Sequence, residues 1–444
     1  MSQTIEAVST RQIFKTWWPL AASWMLMALE LPAINIVITR LVNPEIHLAA
    51  YGSLVFPLAL LIEAPIIMLL AASTALCADW ESYRRIRRFT HILSAVLTGI
   101  HALVAFTPIF GLIARNVLSA PEEIIEPARI GLMITLPWTW AIAYRRFNQG
   151  VLIRFGHSLA VGLGTVVRLL ADCSILVIGY FIGSIPGTAV ATATIIAGVL
   201  FEALYVGLRV RPVLRTQLPK LASESKPFSY RAFLKFYIPL SLTSLIFLGA
   251  RPIFSAGIGR MLDPLSSLAV LPVITSLTFL FRAGGVAYSE VVIATMEKKG
   301  AYPALRRFAL GLTAVTTIGI LLIAATPLGS IWFGSITGLS NELLSLARTG
   351  LWFAVLLPGL AVLQSWIQGV VMHHKRTNAI TEAVILYLIV TGSLLFAGVA
   401  WGRMRGIYVA LFAMTVGEFV RTGWLAWRSR RARQILKARD SLTP

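Results

Sequence analysis

Four charged residues lie deep inside apolar stretches of this 444-residue chain: Glu30, Glu63, Arg251 and Arg282. A guanidinium is a planar fork of donors that matches a carboxylate or a phosphate at two points. A glutamate nearby can compete for that fork or exchange a proton. Charges inside a bilayer are costly, so such residues mark a binding or ion-transfer site by default. The competing interpretation is a set of static salt bridges that hold two halves of a protein together. The sequence has no nucleophile–base or metal constellation, so enzymatic group transfer is not expected. It has no Walker motif or Gly-rich phosphate loop, so ATP is not expected as the direct energy source.

The elements that must carry these residues follow from composition. Hydrophobic residues make up 57% of the chain and charged residues 13%, with a mean hydropathy of +0.78. A soluble chain carries about 25% charged residues. Twelve apolar runs stand out, at residues 17–39, 48–76, 90–113, 129–152, 158–183, 187–208, 236–259, 266–293, 308–328, 346–371, 379–400 and 406–427. Each is long enough for a bilayer-spanning helix, and none alternates with period two as barrel strands do. The spacing therefore predicts an all-α polytopic membrane protein with twelve transmembrane helices. At about 1.5 Å per residue, Glu30, Glu63, Arg251 and Arg282 each fall about 20 to 24 Å into their helices, near the middle of the membrane.

The chain carries 39 Lys and Arg against 19 Asp and Glu, a net charge of +20. Placed on the twelve spans, 29 of the basic residues fall on the side of both termini and seven on the other. Basic residues collect on the cytoplasmic side, which predicts an inner-membrane protein with both termini in the cytoplasm. The same bias accounts for the charge through contact with membrane lipids and without a nucleic-acid partner. The first apolar run is too long for a cleavable signal peptide, and no A-x-A-like site follows it. Cys77 and Cys173 sit in or beside apolar runs, which supports neither a disulfide framework nor a cysteine metal cluster.

The second half of the sequence repeats the first. At an offset of 220, Lys15, Pro19-Leu20, Pro32, Arg40 and Pro44 match Lys235, Pro239-Leu240, Pro252, Arg260 and Pro264. At 219, Arg87-Arg88-Phe89, Thr107-Pro108, Ala128-Arg129 and Gln149-Gly150-Val151 match Arg306-Arg307-Phe308, Thr326-Pro327, Ala347-Arg348 and Gln368-Gly369-Val370. Six spans per half, an even number, give two parallel repeats, an arrangement that places a transport site between the halves near the midplane. The expected organisation is an N-lobe over 1–208, a cytoplasmic linker over 209–235, a C-lobe over 236–428 and a basic cytoplasmic tail over 429–444. Under the offset, Arg251 stands beside the position of Glu30, and Arg282 beside that of Glu63. The repeat thus predicts a charged cleft, acidic on the first-half wall and basic on the second-half wall.

This layout resembles the multidrug/oligosaccharidyl-lipid/polysaccharide (MOP) flippase superfamily, which includes the multidrug and toxic compound extrusion (MATE) transporters. Gln149-Gly150 and Gln368-Gly369 look like its recurring Gln-Gly element. Leu48-Ala49-Ala50-Tyr51-Gly52, Arg251-Pro252-Ile253 and Arg260 look closest to the progressive ankylosis protein family. The resemblance implies a MATE-like fold and export of organic or phosphate-bearing anions. An acidic trio like that of the cation-coupled drug exporters is missing from the sequence.

Further residues form a secondary set. Arg168 and Asp172 are four apart on one helix face and read as a self-neutralised pair. Glu418 is mid-span with no obvious partner, and Asn35, Gln149 and Gln368 are polar positions within spans. Glu202, Glu290 and Glu382 lie nearer cytoplasmic ends and are expected to snorkel or to pair with loop arginines. His101 reads as a satisfied core residue, and His373-His374 as a loop pair without further metal ligands. Gly284-Gly285, just after Arg282, would allow either a helix break or close packing. The sequence thus points to a monomeric secondary transporter that exports a small anion by alternating access, with no cofactor and with H+ or Na+ left open as coupling ion. A lipid-linked saccharide flippase and a cation-coupled multidrug exporter are the alternatives.

Overall fold

The computed structural model describes residues 8–218, 229–296, 298, 300–373 and 378–441. Helices dominate, and among the described residues no strand forms beyond one isolated bridge between Leu262 and Arg405. Eleven helices are long and apolar enough to cross a membrane. They are α1 (Thr10–Ile38), α2 (Pro44–Leu76), α3 (Trp80–Phe106), α5 (Ser158–Ile182), α6 (Gly187–Thr216), α7 (Tyr230–Gly259), α8 (Pro264–Thr295), α9 (Ala301–Ala325), α10 (Asn341–Met372), α11 (Asn378–Trp401) and α12 (Gly406–Arg428). The expected fourth span is also helical. It forms α4, residues 122–154, as two consecutive helices, Glu122–Ile134 and Leu136–Arg154. A final helix, α13 (Arg430–Ser441), follows α12. The chain is a multi-pass, all-α membrane protein.

Local sequence explains where the helices begin. Ser9 and Gln12 form a reciprocal capping box at the start of α1, with Oγ and Oε1 accepting at 3.2 and 3.0 Å. Asp79 accepts from the Ser82 N–H at 2.8 Å and caps α3. These side chains satisfy amide groups that a helix start leaves without partners. Asn43 and Asp263 adopt the left-handed conformation, at φ 51° and 53°, immediately before Pro44 and Pro264. Asn and Asp tolerate that conformation better than other side chains, and proline suits the first helical turn.

The 219–220 offset is realised in geometry. Thr107 and Thr326 each cap the helix before them, Oγ1 donating to Leu103 O and Leu322 O at 2.6 Å. Each is followed within a few residues by a π-helical turn, Ile113–Val117 and Ile331–Ile336. A Cβ on Gly150 would lie 1.9 Å from Ser73 Oγ, and one on Gly369 would lie 2.2 Å from Val292 Cγ1. Ser73 and Val292 are themselves repeat mates. The glycine of each Gln-Gly pair therefore lets α4 approach α2, and α10 approach α8, more closely than any side chain permits.

By contacts the chain divides into two compact units, Met1–Pro32 with Arg260–Pro444, and Ala33–Gly259. These differ from the lobes expected at 1–208 and 236–428: most of α1 packs with the second-half helices, and α7 packs with the first-half helices. In the first unit, the Trp17 indole Nε1 donates to Gly284 O at 2.8 Å, and Gly284 leaves room for that ring. Trp17 joins a core with Tyr288, Leu305 and Trp366. In the second unit, the Tyr237 hydroxyl of α7 donates to Pro65 O, and the Ser255 hydroxyl donates to Ser53 O.

The expected linker is shorter than 209–235, because α6 runs to Thr216 and α7 begins at Tyr230. Lys220, Ser223, Ser225, Lys226 and Pro227, like Lys299, His374, Lys375 and Arg376, lie outside the described residues. The expected basic tail over 429–444 is largely α13, which packs within the first unit. Ala432 and Leu436 are buried in its core, and Asp440 Oδ2 accepts from the Tyr302 N–H at 2.9 Å.

Candidate functional site: buried charge networks within the helices

In the second unit, Glu63 on α2 is fully buried. Its Oε1 accepts from Thr139 Oγ1 of α4 at 3.3 Å, and Thr139 Oγ1 is 3.1 Å from His101 Nδ1 of α3. Further along α4, the Arg145 guanidinium pairs with Glu202 of α6, and Gln149 Nε2 donates to the other Glu202 oxygen at 2.9 Å. Arg168 of α5 lies 3.7 Å from Asp172 and 4.0 Å from Glu202. A Cβ on Gly198 would lie 1.9 Å from Asp172 Oδ1, so α6 makes room for that carboxylate. Glu202 joins Arg145, Gln149 and Arg168 in one network, which Arg168 extends to Asp172. Pairing at this depth is what keeps buried charges tolerable.

Arg251 stands on α7 about 12 Å inside its Gly259 end, at about 1.5 Å per residue. The side chain is exposed, and its guanidinium lies 5.5 Å from the centre of the Phe56 ring, within reach of a cation–π contact.

In the first unit, Glu418 of α12 is the centre of a second network. Arg282 Nη2 of α8 is 3.5 Å from its Oε1, and Arg421 Nη1 is 3.2 Å from its Oε2. Gln364 Nε2 of α10 donates to Oε2 at 2.7 Å and to Thr422 Oγ1 at 2.9 Å. Arg282 keeps 26% of its side chain exposed. Two guanidiniums thus share one carboxylate. Glu30, half-buried, opens the second stretch of α1, where its charge suits the helix start. Asn35 is buried and Gln368 half-buried.

The expected division into an acidic and a basic wall is not what the contacts give. Each unit holds both signs, because α1 carries Glu30 into the unit of Arg282, while α7 carries Arg251 into the unit of Glu63. The carboxylate nearest Arg282 among its described ion pairs is Glu418. The Arg168–Asp172 pair forms as expected. Glu382 pairs with Arg428 as expected, whereas Glu202 pairs with Arg145, buried inside α4 rather than in a loop, and Glu290 accepts from the Trp24 indole at 3.3 Å.

Sequence reasoning counted Arg145 and Arg421 only among the 29 basic residues on the side of the termini, and did not single out Thr139 or Gln364. The repeat held the missing signal. Arg145 and Gln364 are mates at an offset of 219, and so are Glu202 and Arg421. The same two helix pairs, α4 with α6 and α10 with α12, carry a buried polar contact in each half with different chemistry.

No family model and no curated protein matches the chain. Solved structures do. A multidrug resistance MATE family transporter of the MOP superfamily, inward-facing, superposes with a TM-score of 0.76 at 17% identity, over 95% of this chain and 99% of that one. The lipid II flippase MurJ, in an inward closed conformation, gives 0.73 at 14% identity over 95% and 90%. A MOP superfamily transporter from Pyrococcus furiosus Vc1, described by the reverse polarity of its binding pocket, gives 0.62 at 17% identity over 98% and 99%. The closer resemblance to the progressive ankylosis family rests on the sequence motifs alone. The chain has a MATE-like fold.

Proposed function

We propose that the chain is a secondary active transporter that exports a small organic or phosphate-bearing anion by alternating access, with Arg251 and Arg282 receiving the anion. The observation that carries this reading is Arg251, a guanidinium within a membrane-spanning helix that the surrounding protein leaves exposed. Against hydrocarbon such a charge costs several kcal/mol, so its stable surroundings are an aqueous path. An accessible, permanently charged fork on such a path favours carboxylates and phosphates over cations. The two arginines gathered around Glu418 support the same polarity. The Lys/Arg bias supports cytoplasmic termini in an inner membrane, with membrane lipids as the surrounding partner.

Purified protein in proteoliposomes tests the reading with pyrophosphate, citrate and the cation ethidium as probes. Saturable flux of either anion, without ethidium flux, supports it. Ethidium flux without anion flux overturns it. A second reading, transfer of a lipid-linked saccharide, is supported by the likeness to the lipid II flippase. It predicts flipping of a labelled polyprenyl-linked sugar and no flux of either free anion.

A further inference from the structure

We propose that Glu63, Thr139 and His101 form a buried site that holds one exchangeable proton. This goes beyond the anion reading and uses neither of its arginines. The argument counts hydrogens. Leu132 O can only accept, and it lies 2.9 Å from His101 Nε2, so that nitrogen carries a hydrogen. Thr135 Oγ1 gives its own hydrogen to Leu132 O at 2.8 Å, and so offers Nε2 a lone pair at 3.3 Å. Both contacts require the same protonated Nε2.

On the other side of the ring, Thr139 Oγ1 sits between His101 Nδ1 at 3.1 Å and Glu63 Oε1 at 3.3 Å. Thr139 has a single hydroxyl hydrogen. With a bare Nδ1 and a carboxylate, two acceptors face that one hydrogen and only one contact is a hydrogen bond. One added proton satisfies both. On Glu63, the acid donates to Thr139, which donates to Nδ1. On Nδ1, the imidazolium donates to Thr139, which donates to the carboxylate. The two arrangements differ by moving two hydrogens along the chain, and the added proton comes from water and returns to it. A second observation agrees. Glu63 Oε2 is buried without a hydrogen-bond partner among the described residues, which costs less for the carbonyl oxygen of an acid than for a carboxylate oxygen.

The charged and titratable surroundings are few. From α4 comes Arg145, itself paired with Glu202. From α7 come Tyr237, bonded to Pro65 O, and Arg251, over Phe56. On α3, Arg87 and His91 lie towards the opposite end from His101, and on α2 His47 bonds Thr188. Losing the proton frees one of the two contacts of Thr139, to α2 or to α3. The site thereby links proton occupancy to how three helices are tied together.

Infrared difference spectroscopy of the full chain in lipid, recorded as pH is varied, tests the proposal without any substrate. The expected result is a protonated-carboxyl band that titrates, shifts in D2O and is lost in Glu63→Gln. Thr139→Val, which removes the link at similar volume, moves the midpoint of that band, whereas Thr139→Ser leaves it in place. A band that survives Glu63→Gln overturns the proposal. If Glu63→Gln does not fold, the threonine pair decides: equal midpoints in Thr139→Val and Thr139→Ser overturn it. Failure of anion flux leaves this result untouched, so the two readings fail separately.

Discussion

Arg282 and Glu418 meet at 3.5 Å across α8 and α12, although 136 residues separate them in sequence. The carboxylate also holds Arg421 and Gln364, so it is shared by three side chains. Removing a buried carboxylate from such a set leaves uncompensated guanidiniums, at a cost of about 3 to 5 kcal/mol. Glu418→Ala is therefore expected to lower the thermal unfolding midpoint of the detergent-solubilised protein strongly. Adding Arg282→Met and Arg421→Met to that variant is expected to recover much of the loss. Both are read by fluorescence-detected gel filtration after heating.

The close approach at the two Gln-Gly pairs gives a graded prediction. A Cβ on Gly150 meets the Leu70 carbonyl at 2.5 Å as well as Ser73, whereas one on Gly369 meets only the Val292 side chain under 3 Å. Backbone yields less readily than a side chain, and overpacking costs about 1 to 3 kcal/mol. Gly150→Ala is expected to destabilise more than Gly369→Ala. Gly99→Ala, with nothing within 4 Å of the added carbon, is the neutral control in the same melting measurement.

The spans and the repeat were legible because hydrophobic runs and a constant offset survive in sequence without reference to packing. The exchange of α1 and α7 between halves was not. It depends on contacts such as Trp17 with Gly284 and Tyr237 with Pro65, made at sequence separations of 267 and 172. An apolar helix suits either neighbour, so composition does not decide which one it meets. Arg145 and Arg421 were not singled out for a related reason: an arginine near the end of an apolar run counts with the basic residues of that side until its buried partner is known. The pairs with local spacing, Arg168 with Asp172 above all, were read correctly because helix geometry alone brings them together.

Docking of α13 is expected to depend on pH through Asp440. Burial pushes its carboxyl up, but the Arg439 guanidinium at 2.7 Å and the Tyr302 and Gly300 N–H groups outweigh that and hold it below the usual carboxylate range. A carboxyl depressed in the docked state contributes stability above its undocked value, about 4, and loses it as pH falls further. Protection of the amides of residues 430–441, taken against the intrinsic exchange rate at each pH, is expected to be high at neutral pH and to fall in acid. Asp440→Asn should be weakly protected at both, and a pH-independent profile in the unmodified protein contradicts the assignment.

Anion flux through proteoliposomes bearing Arg251→Ala, beside Arg251→Lys, tests the central claim most directly. A charge-assisted hydrogen bond contributes about 1.5 to 3 kcal/mol, or roughly tenfold and more in rate or affinity. Pyrophosphate or citrate flux is expected to fall at least about tenfold in Arg251→Ala and less in Arg251→Lys, which keeps the charge without the fork. Undiminished anion flux in a folded Arg251→Ala protein would contradict the account.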